Sequence, residues 1–353
     1  MTRRSRVLVA VATGVALVAT AAVVRDVSRD RASSSDPALA GRPVPTTLGR
    51  AFPGARVTSP VGVGDQQGQV TPSGLLADGT VYGMVVPASG GGSPAVTVDP
   101  RTGRRVVVAR GVGDAEPRFL GADEHALFGV TERPARVTVG HGCDLAGAPC
   151  AGSAVPRPRY WRHDLATGRT VDLAPGPGQA PELPPPGAGR PAPGLVMSVE
   201  DDSARGGRVV VRDTRSGRSR VVLDGGGSFA VANAYGIAWD DPAASRVRFA
   251  RWGGTARPLD VPAAGGTSHL TPVAAADRVF LLADRTQLLG DLAVYDPARN
   301  ALTHLGRAPG TRLWAAGNHV LWSNGVPNGY RLLTLAPEPP PATPTLNDLR
   351  ITP

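Results

Sequence analysis

With 353 residues, 41% of them hydrophobic, the chain carries enough apolar material for one large core or two smaller ones, which excludes wholesale disorder. Gly at 45 and Pro at 35, against an aromatic share of 5%, argue for many turns and few long helices. The net charge is +9 and all 38 basic residues are Arg, but the surplus is spread thinly, so no nucleic acid is expected as a partner.

The N-terminus is read first. Arg3, Arg4 and Arg6 precede residues 7–24, "VLVAVATGVALVATAAVV", which carry no charge and end at Arg25 and Asp26. Eighteen uncharged residues just reach the length of a membrane-spanning helix, and the leading arginines keep that end cytoplasmic. Residues 1–24 are therefore expected to form a signal anchor or transmembrane helix. The protein is then a single-pass cell-membrane protein with its C-terminal domain extracytoplasmic. Ala19-Thr20-Ala21 resembles a cleavage site, which leaves a secreted form as the alternative.

The rest of the chain repeats itself. Apolar runs start at 81 (VYGMVV), 126 (ALFGVT), 195 (LVMSVE), 236 (GIAWDD), 279 (VFLLAD) and 320 (VLWSNG), so that the intervals are 45, 69, 41, 43 and 41 residues. A small-residue turn precedes most of them. Four are followed by one phrase: "AVTVDPRTGRRVVV", "YWRHDLATGRTVDL", "VVVRDTRSGRSRVVL" and "LAVYDPARNALTHL". Each phrase is a hairpin, because Asp99, Asp164, Asp213 and Asp296 can bond the backbone two residues on. Gly103, Gly168, Gly217 and Asn300 tolerate the positive φ that closes the turn. Each unit thus reads as four short strands, and in the fourth unit "RWGGTARPL" fills the hairpin slot.

Units of four strands and 40–45 residues are too thin to stand alone and must stack around an axis. On this periodicity the chain resembles a six-bladed TolB-like, WD40-like β-propeller over residues 60–337. The fold class expected is all-β, a six-bladed propeller with an N-terminal transmembrane helix. The third unit's first strand falls in a Pro-rich segment, 174–193, where ladder donors are missing. The sixth unit has only three strands, so its fourth should come from residues 44–63. Residues 25–59 are read as a linker holding that ring-closing strand, and 338–353 as a Pro-rich tail.

Chemistry is less legible. G-x-S-x-G, H-E-x-x-H, P-loop and EF-hand patterns are absent, and no cofactor is expected. Cys143 and Cys150 lie in "GHGCDLAGAPCAG", where an oxidising compartment favours a disulfide closing an eight-residue ring. His141 beside them makes too small a set for a metal site. Loops between second and third strands all open on one face, and they begin with Glu132, Glu200-Asp201-Asp202, Asp240-Asp241, Asp284 and Asn324. The loops between blades add His269, Arg307 and Arg312 to that face. The candidate ligand-binding set is Glu200, Asp201, Asp240, Asp284, His269 and Arg312. It competes with the plainer reading that Asp and Asn start turns, with Arg133, Arg205 and Arg285 neutralising them. His125 and His319, at equivalent places on the opposite face, read as surface turn positions. The stretch 205–220 holds six Arg and one acid; it is a solvated outer hairpin or a basic wall for anionic envelope polymers or lipid headgroups. The resemblance implies a binding or scaffold module for an envelope protein, peptide or glycan. The alternative is a hydrolase or lyase with a divalent cation held by the acidic crown.

Overall fold

Short apolar runs interrupted every few residues by Gly, Pro and Asp leave little room for helix, and the computed structural model has one among its described residues, Leu48–Ala51. It describes residues 44–88, 92–112, 115–132, 158–173, 190–200, 207–225, 229–241, 246–259, 261, 270–284, 290–308, 312–323, 329–336 and 343–351. The segment 1–24 and the cysteine loop lie outside these residues. Among the described residues no helix is long and apolar enough to cross a membrane.

Six separate sheets form, one per repeat. Blade one is Val70–Leu75, Val81–Val85, Ala95–Val98 and Arg105–Ala109; blade two is Glu116–Ala122, Ala126–Glu132, Arg159–Asp164 and Thr170–Leu173. Blade three has three strands among the described residues, Leu195–Glu200, Arg208–Asp213 and Ser219–Leu223. Blade four is Ala230–Asn233, Gly236–Asp241, Arg246–Arg251 and Arg257–Leu259. Blade five is Leu270–Ala275, Phe280–Asp284, Gly290–Asp296 and Ala301–Ala308. Blade six is Leu313–Ala316, His319–Ser323 and Tyr330–Thr334, completed by Arg56–Thr58, which pairs antiparallel with Tyr330–Thr334. The ring is thus closed by a strand from the N-terminal side, within the segment the repeat count required.

Stacking follows from burial. The leading strands of blades six and one, one and two, four and five, and five and six touch, and Leu195–Glu200 of blade three touches the leading strand of blade four. Five apolar clusters fill those five junctions, typified by Leu281 with Leu333 and by Phe249 with Tyr295. Between blades two and three the described contact is an ion pair, Arg190 to Glu124 at 3.0 Å. Turns joining first to second strands are laced around the ring as well. The Asn233 amide donates to Ala276 C=O at 3.1 Å, Asp277 N–H to Gly317 C=O at 2.7 Å, and His319 Nδ1 lies 3.2 Å from Ala77 C=O.

The recurring hairpin is built as its residues dictate. Asp99 accepts the Arg101 amide at 2.9 Å, Asp213 the Arg215 amide at 2.8 Å, and Asp296 the Ala298 amide at 2.9 Å. In blade two Asp164 takes the Thr167 amide at 2.8 Å. Gly103, Gly168, Gly217 and Asn300 have φ of +74°, +67°, +68° and +49°. A further element escaped the sequence reading: the hydroxyls of Thr102, Thr167 and Ser216 donate to the same carboxylates. The turn amides foremost at Asp99 and Asp164, and the Ser216 hydroxyl foremost at Asp213, hold these carboxyls below their ordinary range.

Two glycines admit aromatic rings. A Cβ on Gly129 would stand 1.9 Å from the Trp161 ring, and one on Gly74 2.0 Å from that of Tyr82. Tyr82, Phe119 and Trp161 consequently pack in series at centroid distances of 4.9 and 5.4 Å across the blade one–two junction.

Both chain ends do more than link. Val44–Pro45 pairs in parallel with Ala301–Leu302 as a fifth strand on blade five, and Phe52 is fully buried between blades five and six. Residues 343–351, expected as the end of a Pro-rich tail, instead dock on blades three and four. Leu349 is fully buried there with Leu346 and Ile351 beside it, and the Arg220 guanidinium donates to Asn347 C=O at 3.1 Å. Gly253 N–H donates to Arg350 C=O at 2.9 Å. The apolar residues Leu346, Leu349 and Ile351 of "LNDLRI" explain the docking; proline content had masked them.

Candidate functional site

On the face carrying the loops between second and third strands, the expected acids are met by arginines across the ladder. Glu200 stands directly opposite Arg208, with 3.8 Å between charges. Asp241 takes Arg248 Nε at 2.6 Å, and Glu132 takes Arg118 Nε at 2.7 Å, each one diagonal step away. The neutralising partners described are therefore strand residues. Asp240 accepts the Phe229 amide at 2.8 Å and so pins the entry into blade four. Asp284 is half-buried at the end of blade five's second strand. Asp201, His269, Cys143 and Cys150 lie outside the described residues. Among the described residues no three His, Cys, Asp or Glu side chains group to hold a metal ion.

Arg312 does join a cluster. Its Nη1 lies 3.9 Å from Asp65, whose carboxylate accepts the Tyr330 hydroxyl at 3.2 Å, and the Trp314 ring lies 6.2 Å from that of Tyr330. Burial, with the Asp65 charge adding to it, pushes the Tyr330 hydroxyl up to about 12, so it stays a neutral donor. This cluster ties the segment entering blade one to blade six.

The concavity lies next door. A cavity of about 430 Å³ opens between blades one and two on the same face, lined by the apolar Met84, Val86, Pro87 and Pro117 and by the acids Glu116 and Glu132. Arg118 and Thr71 complete its inner wall, each on the leading strand of its blade. Cross-strand register sets Glu116 directly opposite Glu132. Like charges so placed repel, and Arg118 answers only one of them with an ion pair. An apolar floor with an acidic lip suits an apolar side chain carried beside a basic one.

None of the cavity residues except Glu132 stood out in the sequence. A signal was present, however, in "TPSG", "EPRF" and "TPVA" at 71, 116 and 271. Pro72, Pro117 and Pro272 hold one place on three leading strands, each near a register shift. Proline is tolerated there because a leading strand has an edge without ladder partners.

The histidines separate by environment. His125 is exposed beside Glu124, as a turn position should be. His319 is half-buried against blade one and His163 is buried, bonded to the Thr170 hydroxyl at 2.8 Å; burial lowers both from the ordinary imidazole value. His304 faces Asp291 across blade five at 3.4 Å, a pairing thirteen residues apart in sequence.

No family model matches the chain, and no curated protein matches it. Among solved structures it is similar to TolB from Acinetobacter baumannii, at 12% identity and a TM-score of 0.39, covering 70% of this chain and 61% of that one. The chain thus spans less than two thirds of that TolB. It is also similar to a putative TolB from Agrobacterium tumefaciens (12% identity, TM-score 0.38, 76% and 90% covered). A third is an oligogalacturonate lyase in complex with manganese (14% identity, TM-score 0.36, 77% and 80% covered). The six sheets themselves establish the β-propeller; the likeness concerns fold alone.

Proposed function

We propose that this propeller is a binding module held at the extracytoplasmic side of the cell membrane by residues 1–24. Its recognition surface is the cavity face of blades one and two. The observation that carries the reading is the cavity of about 430 Å³ with an apolar floor and a Glu116–Glu132 lip. Met84 gives that floor an adaptable side chain, which suits a surface that receives a polypeptide. The described lining is aliphatic, polar and charged, with no aromatic ring among the described residues for a sugar to stack on, and this favours a protein or peptide over a glycan.

The test is recovery of a partner from envelope extract by the wild-type chain and by two variants. Met84→Asp is expected to lose the partner, because it places a charge on the floor. Asp240→Ala/Asp284→Ala is expected to retain it. Retention by Met84→Asp with loss by the double variant would return recognition to the crown and defeat this reading.

A further inference from the structure

The outer wall offers a second surface, independent of the cavity. Propeller blades leave a strand edge at the rim, and such edges are ordinarily blunted or covered. Blade five's is covered: Val44–Pro45 lies against it and Thr46 N–H donates to Leu302 C=O at 3.0 Å. Blade one's is not. Its outermost strand, Arg105–Ala109, exposes Val106 at 45% and Val107 at 42%.

The backbone there is set to receive a strand. Asp99 N–H donates to Arg104 C=O at 2.9 Å and Val106 pairs with Thr97 two residues on, so the Arg104 carbonyl and the polar groups of Val106 face the third strand. By the period of two, those of Arg105 and Val107 face outward. The far end is taken, since Val108 C=O accepts the Thr170 hydroxyl at 2.7 Å. Charge then selects the occupant. Arg104 and Arg105 flank the valines on one side and Arg110 on the other, all exposed, with no acid between residues 101 and 110. A second copy of this chain is disfavoured, because antiparallel pairing about Val107 would set Arg104 of one copy against Arg110 of the other.

We infer that the outer edge of blade one accepts an extended segment of a partner protein in which a few β-branched residues are flanked by acids. Main-chain bonds to Arg105 and Val107 supply the affinity, and the arginines fix its sign.

The probe is a fluorescein-labelled peptide of alternating Val and Thr with Asp at both ends, titrated into the full chain at low ionic strength and followed by anisotropy. The Asp peptide should bind at least tenfold more tightly than the same peptide with Lys at the ends. Arg105→Glu/Arg110→Glu should invert that preference. Val107→Pro, which removes an outward donor and leaves the inner ladder intact, should weaken the Asp peptide at least tenfold with an unchanged melting midpoint. Equal binding of the two peptides by wild type, no binding up to millimolar peptide, or wild-type binding by Val107→Pro would each overturn the proposal. So would a wild-type chain that sediments as a dimer which Val107→Pro dissolves, since the edge would then belong to a second copy.

Discussion

Blades three to five and blades six, one and two are built on one plan of short antiparallel strands and differ in what lies outside it. The first group is strapped by the chain's own ends, Val44–Pro45 and Phe52 on the blade-five side and residues 343–351 on blades three and four. Among the described residues the second has no further strand paired on its outer strands, with Val57, Val106, Val107 and Val171 each more than 40% exposed, and it holds the cavity. The contrast separates what a closed ring requires from what is left over. Neighbour stacking and one ring-closing strand bury the blade faces. Straps are additional, and those among the described residues lie on the side of blades three to five. The side left open is also the side with a concave polar–apolar surface, which is why recognition is assigned there.

Breaking the straps should cost most. Leu349→Ala empties a fully buried position, and such truncations cost about 2–5 kcal/mol. A lowered urea midpoint, lowered further by removing residues 343–353, is the expected result. On the bare half the largest effect should come from inside the sheet. Gly129→Ala drives a methyl into the Trp161 ring, and overpacking of this kind costs about 1–3 kcal/mol. Thermal melts of Gly129→Ala and Gly129→Ala/Trp161→Leu should show the second change restoring part of the loss. Surface valines should matter little: Val106→Ser is expected within about 0.5 kcal/mol of wild type by urea titration.

Protonation sharpens the comparison. His163 and His319, both in the bare half, have values lowered by burial. The unfolded chain therefore binds protons that the folded one refuses, and stability is full above the ordinary value of 6.5 and falls as pH drops below it. Urea midpoints between pH 7.5 and 5.5 should decline for wild type and flatten for His163→Gln/His319→Gln. The hairpin carboxyls act lower on the scale. Asp99, Asp164, Asp213 and Asp348 are lowered, so their support is present above 3.8 and lost as pH falls through their folded values. Asp277, raised by burial, opposes them.

Much of the architecture was legible because it depends on local chemistry repeated at a period. Asp-to-Gly spacing fixed the outer hairpins, and a missing sixth-unit strand pointed to the N-terminal side, where Arg56–Thr58 supplies it. The straps were not legible, since Val44–Pro45 and Leu349 gain their burial only from blades far away in sequence. The site was less legible again. Acids at loop starts were visible, yet their partners Arg118 and Arg208 depend on cross-strand register, which a sequence shows poorly. The cavity needs two neighbouring blades at once, and only the repeated prolines hinted at its inner wall.

Hydrogen exchange of the full chain, free and bound to the partner recovered from envelope extract, tests the assignment of recognition to the unstrapped half most directly. Protection should be gained within residues 70–132 and be absent from 195–308. Protection confined to blades three to five would contradict the account.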